Sequence, residues 1–153
     1  ILAGNALQSM AFAAIAYSSA LTPSTQIQCI RILHTCTGAQ GLLLGQNYDL
    51  TTPPVCEQTV TDQLKTAKLF EACLNMSYHC QAKLCQRTQE ALILFANQFG
   101  LAFQRQDDAF DNEHNHPAAQ AFSQALQTLK SLGLNEHNSQ LTQLTQLIQT
   151  RKT

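Results

Sequence analysis

The chain has 153 residues, with 9 Lys+Arg against 10 Asp+Glu, a formal net charge of −1 and no tryptophan. That length is about one domain, and a 44% hydrophobic share excludes intrinsic disorder. The near-zero net charge argues against a general nucleic-acid binder, which needs a basic stripe to neutralise phosphates.

The chain opens on Ile1 and not on methionine, with no basic segment ahead of its apolar start. No signal peptide is read there, and the chain is expected to begin inside a larger protein. Residues Ala3 to Ala20 carry Leu7, Met10, Ala11, Ala14 and Ile15 at three- and four-residue steps, which predicts a helix. Thr22-Pro23 reads as an N-cap followed by proline at the first helical position, starting a helix with Ile27, Ile30, Leu33 and His34 that runs to about Thr37. Gly38 punctuates, Ala39 to Asp49 forms a short apolar helix with Leu42, Leu43 and Leu44, and Thr51-Thr52-Pro53-Pro54 is the clearest loop. The helical period resumes from Val60 through Leu64, Leu69, Ala72, Cys73 and Met76. A longer helix is predicted from Ala82 to Asp111, with Leu92, Phe95, Ala96, Phe99 and Phe103 on one stripe. Asn112 to His116, ending at Pro117, reads as a loop, and His114-Asn115-His116 within it as solvated polar chain and not as a metal pair. Two amphipathic helices close the chain, Ala118 to Leu132 and His137 to about Arg151. The second carries Leu141, Leu144, Leu147 and Ile148 as a core or subunit-packing stripe. No segment alternates strictly with β-branched enrichment, so the class is all-α. No apolar run approaches the ~18 residues of a membrane span.

Cys29, Cys36, Cys56, Cys73, Cys80 and Cys85 contain no C-x-x-C pair. Cys29/Cys36 and Cys73/Cys80, each seven apart, would stand about 10 Å from one another on a helix, beyond direct bridging. Zinc and disulfide frameworks are therefore set aside for reduced, mostly buried thiols in a cytosolic protein.

One constellation points to chemistry: Gln104, Asp107, Asp108 and Asp111. On a helix these four fall within about a 100° arc. Like charges one turn apart cost a few tenths of a kcal/mol each even in water, so a cation or hydration must offset them. Hard oxygen donors point to Mg²⁺, which binds one or two carboxylates and shares its remaining positions with waters and substrate phosphates. Phe99-Gly100-Leu101-Ala102-Phe103 leads into the acids as an apolar approach. Its mid-helix glycine costs about 1 kcal/mol relative to alanine and permits close approach of another helix or a bulky apolar ligand. Two weaker sites precede it. Lys65-Thr66 offers a compact charge for phosphate oxygens beside a hydroxyl, and Gln46 lies one helical turn from Asp49 after Gly45.

Taken in order, four strings resemble the trans-prenyl diphosphate synthases, nearest the bacterial farnesyl diphosphate synthase (geranyltranstransferase) branch. They are the opening Ile1-Leu2-Ala3-Gly4-Asn5-Ala6-Leu7-Gln8-Ser9-Met10-Ala11-Phe12, then Gly45-Gln46-Asn47-Tyr48-Asp49-Leu50, then Lys65-Thr66, and finally Gly100 to Asp111 with its Gly-x-x-Phe-Gln-x-x-Asp-Asp-x-x-Asp pattern. The resemblance covers nearly the whole chain and implies that residues 1–153 form the C-terminal part of a single prenyl synthase domain. It implies a helical bundle of the isoprenoid-synthase type around an apolar cavity, usually dimeric, with two aspartate-rich helices facing each other across Mg²⁺ and an allylic diphosphate. Asp107, Asp108 and Asp111 match the second aspartate motif, with Asp107 the direct metal ligand. Lys65 matches the lysine that grips the allylic diphosphate. Thr66 and Gln104 match polar groups near the developing allylic cation. Gln46 and Asp49 match the family's Gln-x-x-Asp, and Phe103 lies on the substrate side.

The implied reaction is a Mg²⁺-dependent head-to-tail condensation of isopentenyl diphosphate with dimethylallyl or geranyl diphosphate, giving farnesyl diphosphate or a similar short product in the cytoplasm. This sequence departs from the family at three places. The first aspartate motif and the basic residues for isopentenyl diphosphate would lie before Ile1, so the fragment alone is expected to be inactive. Asn5 stands where an acid is usual. Five polar residues lead directly from Asp111 to Pro117 where the family carries a lysine-bearing loop. A non-catalytic prenyl-synthase-like subunit that regulates a partner is the alternative. A class I terpene cyclase is disfavoured because its Asn/Ser/Glu metal motif is absent.

Overall fold

The computed structural model describes residues 1–81, 84–111, 118–137 and 139–151, and every regular element among them is helical. In chain order these are α1 (Leu2–Ala16), α2 (Pro23–Thr37), α3 (Leu42–Leu50), α4 (Gln58–Asp62), a π-helical turn (Gln63–Ala67), α5 (Lys68–His79), α6 (Gln86–Phe110), α7 (Ala118–Ser131) and α8 (Gln140–Gln149). The all-α class stands. No helix among the described residues is long and apolar enough to cross a membrane. The loop expected over 112–117, with its His114-Asn115-His116, lies outside the described residues, as does Ala82.

Local chemistry sets several boundaries. Thr22 accepts the Thr25 backbone N–H at 3.2 Å with Pro23 in the first helical position, so α2 starts where the sequence places it. The last helix starts three residues later than its apolar pattern suggests, because Ser139 caps it by accepting from the Thr142 N–H. Helix α3 begins at Leu42 and not at Ala39, since the Gly41 N–H donates to the Gly38 carbonyl at 3.0 Å and closes a turn first. Helix α1 stops at Ala16, short of Ala20.

The main core lies between α6 and α7. Phe95, Phe99 and Ala102 bury against Ala121, Phe122, Ala125 and Leu129, with Phe70 and Leu74 of α5 and Leu141 and Ile148 of α8 packed around them. Phe95 and Phe99 stack at 5.6 Å, Phe122 meets Phe99 edge-on at 6.2 Å, and Phe70 does so at 5.0 Å. Each fully buried aromatic of this kind contributes roughly 1.5–3 kcal/mol, which makes the α5–α6–α7 layer the rigid part of the fold. A smaller cluster joins Ile32 and Cys36 of α2 to Ala72 of α5. Helix α1 packs chiefly on α2 and buries none of its residues; Leu7 is 66% and Met10 64% exposed.

Two expectations about burial are corrected. Leu144 and Leu147 face outward, 46% and 67% exposed, while Thr142 and Thr145 are buried. The inward face of α8 runs through Leu141, Thr145 and Ile148, at i, i+4 and i+7, and Thr145 is tolerated there because its hydroxyl donates to the Leu141 carbonyl at 2.7 Å. The six thiols are free, but only Cys29 and Cys36 are buried; Cys56 is intermediate and Cys73, Cys80 and Cys85 are exposed. Cys80 and Cys85 sit at the end of α5 and the start of α6, beyond the last and before the first helical residue.

The helix that resumes near Val60 is not uniform. At the π turn the Lys68 N–H reaches back five residues to the Gln63 carbonyl. Such single wide turns inside α-helices are frequent at functional sites, and this one carries Lys65 and Thr66.

Candidate active site

The π turn is held between α3 and α6 by two close backbone approaches. A Cβ built on Gly45 of α3 would fall 2.2 Å from the Lys65 nitrogen, and one on Gly100 of α6 would fall 2.4 Å from the Ala67 Cα. Only glycine permits either approach. The mid-helix glycine of α6 therefore admits a neighbouring helix, one of the two occupants considered for it.

Sandwiched in this way, the π turn presents its side chains in two directions. Lys65 Nζ turns toward α3 and donates to Asp49 Oδ1 at 2.8 Å. Burial alone would lower the lysine's pKa, but the hydrogen bond and charge of Asp49, with Asp108 and Asp62 nearby, more than offset that and raise it. Lys65 is thus a secure cation. Gln46 is exposed one turn before Asp49 on α3. Thr66 turns toward α6: its hydroxyl donates to Gln104 Oε1 at 2.5 Å, and Gln104 Nε2 donates to Asp108 Oδ1 at 2.6 Å. This relay keeps a carboxylate only 5% exposed supplied with a donor, which an unpaired buried charge would lack at large cost.

The acids do not gather. Asp108 points inward to Gln104, whereas Asp107 pairs with Arg151 Nη2 and Asp111 is exposed where α6 ends. Among the described residues no three His, Cys, Asp or Glu side chains stand close enough to hold a metal ion together. At 100° per residue, Asp107 and Asp108 diverge by construction, and Gln104 draws Asp108 to the buried edge of the arc. Asp111, exposed, and Asp107, partly exposed and shared with Arg151, are two carboxylates one turn apart that solvent reaches. That donor set fits Mg²⁺, which takes one or two carboxylates and leaves its other positions to water and phosphate. Phe103 is half-buried beside them, its ring 5.7 Å from Phe70 and 6.4 Å from Phe99, so the aromatic core extends to the edge of the acidic end.

Sequence reasoning missed three charged groups. Asp62 is 1% exposed and accepts from Gln58 Nε2 at 2.8 Å. Burial pushes its pKa up and Asp108 adds to this, against the Gln58 hydrogen bond, Lys65 and Arg105. Its spacing three residues ahead of Lys65 was the available signal. Arg105 reaches Thr59 Oγ1 at 3.4 Å. Arg151 comes from the far end of the chain, and nothing local announces its pairing.

The family model for polyprenyl synthetase matches residues 1–121. The chain belongs to the polyprenyl synthetase family. The farnesyl diphosphate synthase of Haemophilus influenzae is 35% identical over 118 residues, 74% of this chain and 40% of that protein. The geranylgeranyl diphosphate synthase of Pseudescherichia vulneris is 39% identical over 123 residues, 76% of this chain and 38% of that protein. The crystal structure of a geranyltransferase from Legionella pneumophila superimposes with a TM-score of 0.83 at 26% identity, covering 99% of this chain and 60% of the other. This polyprenyl synthetase chain thus spans about two-fifths of the curated relatives it matches, and its helices follow a fold shared with isoprenoid-forming transferases.

Proposed function

We propose that the complete protein carrying this chain is a Mg²⁺-dependent prenyltransferase that joins isopentenyl diphosphate to an allylic diphosphate, dimethylallyl or geranyl, and makes farnesyl diphosphate or a product of similar length. Residues 1–153 form the C-terminal part of its single catalytic domain, and the protein works as a cytoplasmic homodimer. The observation that carries this reading is the relay from Thr66 through Gln104 to Asp108, which fastens the lysine-bearing π turn to the acidic end of α6. One cation and an acidic edge are thereby set beside an aromatic wall.

Asp107 and Asp111 would hold Mg²⁺, and Asp108 would support them from the buried side. Magnesium, when bound, supplies positive charge against a diphosphate leaving group. Lys65 adds a fixed charge to the same group, and its pairing with Asp49 orients the ammonium before substrate arrives. Thr66 and Gln104 present oxygen dipoles toward the carbon that becomes electron-poor. Phe103, backed by the buried Phe99, excludes water from that carbon, and aromatic faces attract positive charge. The double bond of isopentenyl diphosphate then forms the new carbon–carbon bond, and a proton is lost from the resulting cation. No protein nucleophile is needed.

The test is turnover of the complete protein with isopentenyl and geranyl diphosphates. Asp107→Ala is expected to lower it by orders of magnitude while the thermal transition stays in place. Turnover at the wild-type level would remove the metal assignment. A protein folded and dimeric but inert with every allylic diphosphate would favour a regulatory subunit.

A further inference from the structure

The acidic end of α6 has a cation of its own. Asp107, Asp108 and Asp111 all lie at the C-terminal end of that helix, where the backbone dipole is already negative, and its last turn contains no basic residue. Arg151, 44 positions further along the chain, supplies one: its Nη2 donates to Asp107 Oδ1. The guanidinium carbon stands 5.2 Å from the centroid of Phe103 and 5.1 Å from that of Phe110. Phe103, Asp107 and Phe110 are spaced four and three residues apart and so form one stripe of α6. Arginine lies along this stripe with aromatic rings near its flat cation and a carboxylate at its edge, a geometry that suits a planar guanidinium and not an ammonium. The end of α8 is tied to the same place, since Gln106 Nε2 donates to the Gln149 carbonyl at 3.3 Å. The pair is also accessible, with side chains 33% and 38% exposed. It can therefore exchange with ions from solvent.

We propose that Arg151 is a resident counter-ion that competes with the divalent cation for Asp107. It neutralises the carboxylate while the site is empty and leaves Oδ1 when the metal arrives, so the metal site is guarded by the end of the chain's last helix. The inference rests on the assignment of Asp107 as a metal ligand. Exposed ion pairs are typically weak, so the competition sets a threshold for metal uptake and does not block it.

The experiment is calorimetric titration of the complete protein with Mg²⁺, with and without inorganic pyrophosphate, comparing wild type, Arg151→Gln, Arg151→Lys and Asp107→Asn. Arg151→Gln is expected to bind Mg²⁺ about 2- to 5-fold more tightly than wild type without pyrophosphate, the size that loss of an exposed pair gives. Arg151→Lys should fall between the two. A merely structural arginine would not give tighter binding on removal. Unchanged or weaker binding in Arg151→Gln, with wild type still taking up Mg²⁺ and Asp107→Asn losing it, overturns the competition but leaves the metal assignment intact. No Mg²⁺ uptake by wild type, even with pyrophosphate, overturns both. If Arg151→Gln fails to fold, the side-chain N–H resonances of Arg151 in the wild-type protein decide: they shift on adding Mg²⁺ if the pair opens, and constancy overturns the inference.

Discussion

Gly100 of α6 and Ala67 of the π turn meet with no side chain between them: a Cβ on Gly100 would stand 2.4 Å from the Ala67 Cα and 2.6 Å from its Cβ. Both helices are packed on their other faces, so neither can step back freely. Gly100→Ala is therefore expected to destabilise the protein by about 1–3 kcal/mol, the usual cost of overpacking a filled interior, although alanine is the better helix former by about 1 kcal/mol. Urea unfolding measures this. A stability gain would mean that the two helices are not in contact at this point.

The relay from Thr66 through Gln104 to Asp108 yields a second expectation. Gln104→Leu keeps much of the side-chain volume but leaves the buried Asp108 carboxylate without the donor that now stands 2.6 Å away. Leaving such a group unpaired costs about 1–3 kcal/mol, more when it is charged. Asp108→Asn in the same background should recover part of the loss, because it removes the buried charge. A double-mutant cycle reads the coupling directly, and additive effects would show that the two side chains do not interact.

The positions of these residues were readable from the sequence to different depths. Thr22-Pro23 announced the start of α2, because cap and proline chemistry are local. The Phe95/Phe99 stripe announced the buried face of α6, because a helical period survives in any helix that packs on one side. The π turn gave no such signal. It arises where Gly45 and Gly100 press a helix from two sides, and neither glycine is near Lys65 in sequence. For the same reason the Lys65–Asp49 and Arg151–Asp107 pairs could not be foreseen: their partners lie 16 and 44 residues apart, and spacing on one helix says nothing about them. Leu144 and Leu147 misled because leucine at helical spacing marks a stripe without saying what covers it.

Lys65 carries a pH expectation. Its pKa is raised above the ordinary 10.5, chiefly by Asp49 acting against burial. The stabilising contribution of the pair is therefore fully present below that ordinary value and is lost only as pH climbs through the raised one. Pyrophosphate affinity of the complete protein should thus show no step assignable to Lys65 between about pH 7 and 9, where an ammonium of ordinary pKa is already charged. Lys65→Met should weaken that affinity about 10-fold or more, the effect of losing one charge-assisted hydrogen bond. An unweakened variant removes Lys65 from the diphosphate site.

Asp62 works in the opposite sense. Burial raises its pKa above the ordinary 3.8, so the folded protein holds a proton more tightly than the unfolded chain does. Between the ordinary and the raised value the native state binds more protons, and stability falls as pH rises through that window. Asp62→Asn mimics the protonated form. The variant should melt at or above the wild-type temperature near neutrality and show a flatter decline over the window. A lower melting temperature at neutral pH would mean that the Gln58, Lys65 and Arg105 contacts to the carboxylate outweigh its burial.

The thiols offer a test of the fold that needs no substrate. Cys29 is 1% and Cys36 4% exposed, and burial, aided by Cys80 for the first and Glu71 for the second, pushes both pKa values up to about 11. Thiolate is the reactive form, so near neutrality these two are protected twice, by access and by protonation. Cys85 stands exposed at the start of α6, where hydrogen bonding to the Thr88 side chain and backbone lowers its pKa. Brief alkylation of the native protein at about pH 7.5 followed by peptide mass spectrometry should therefore label Cys85 first and leave Cys29 and Cys36 unmodified until denaturant is added. Early labelling of Cys36 would show that α2 does not rest on Ala72 of α5.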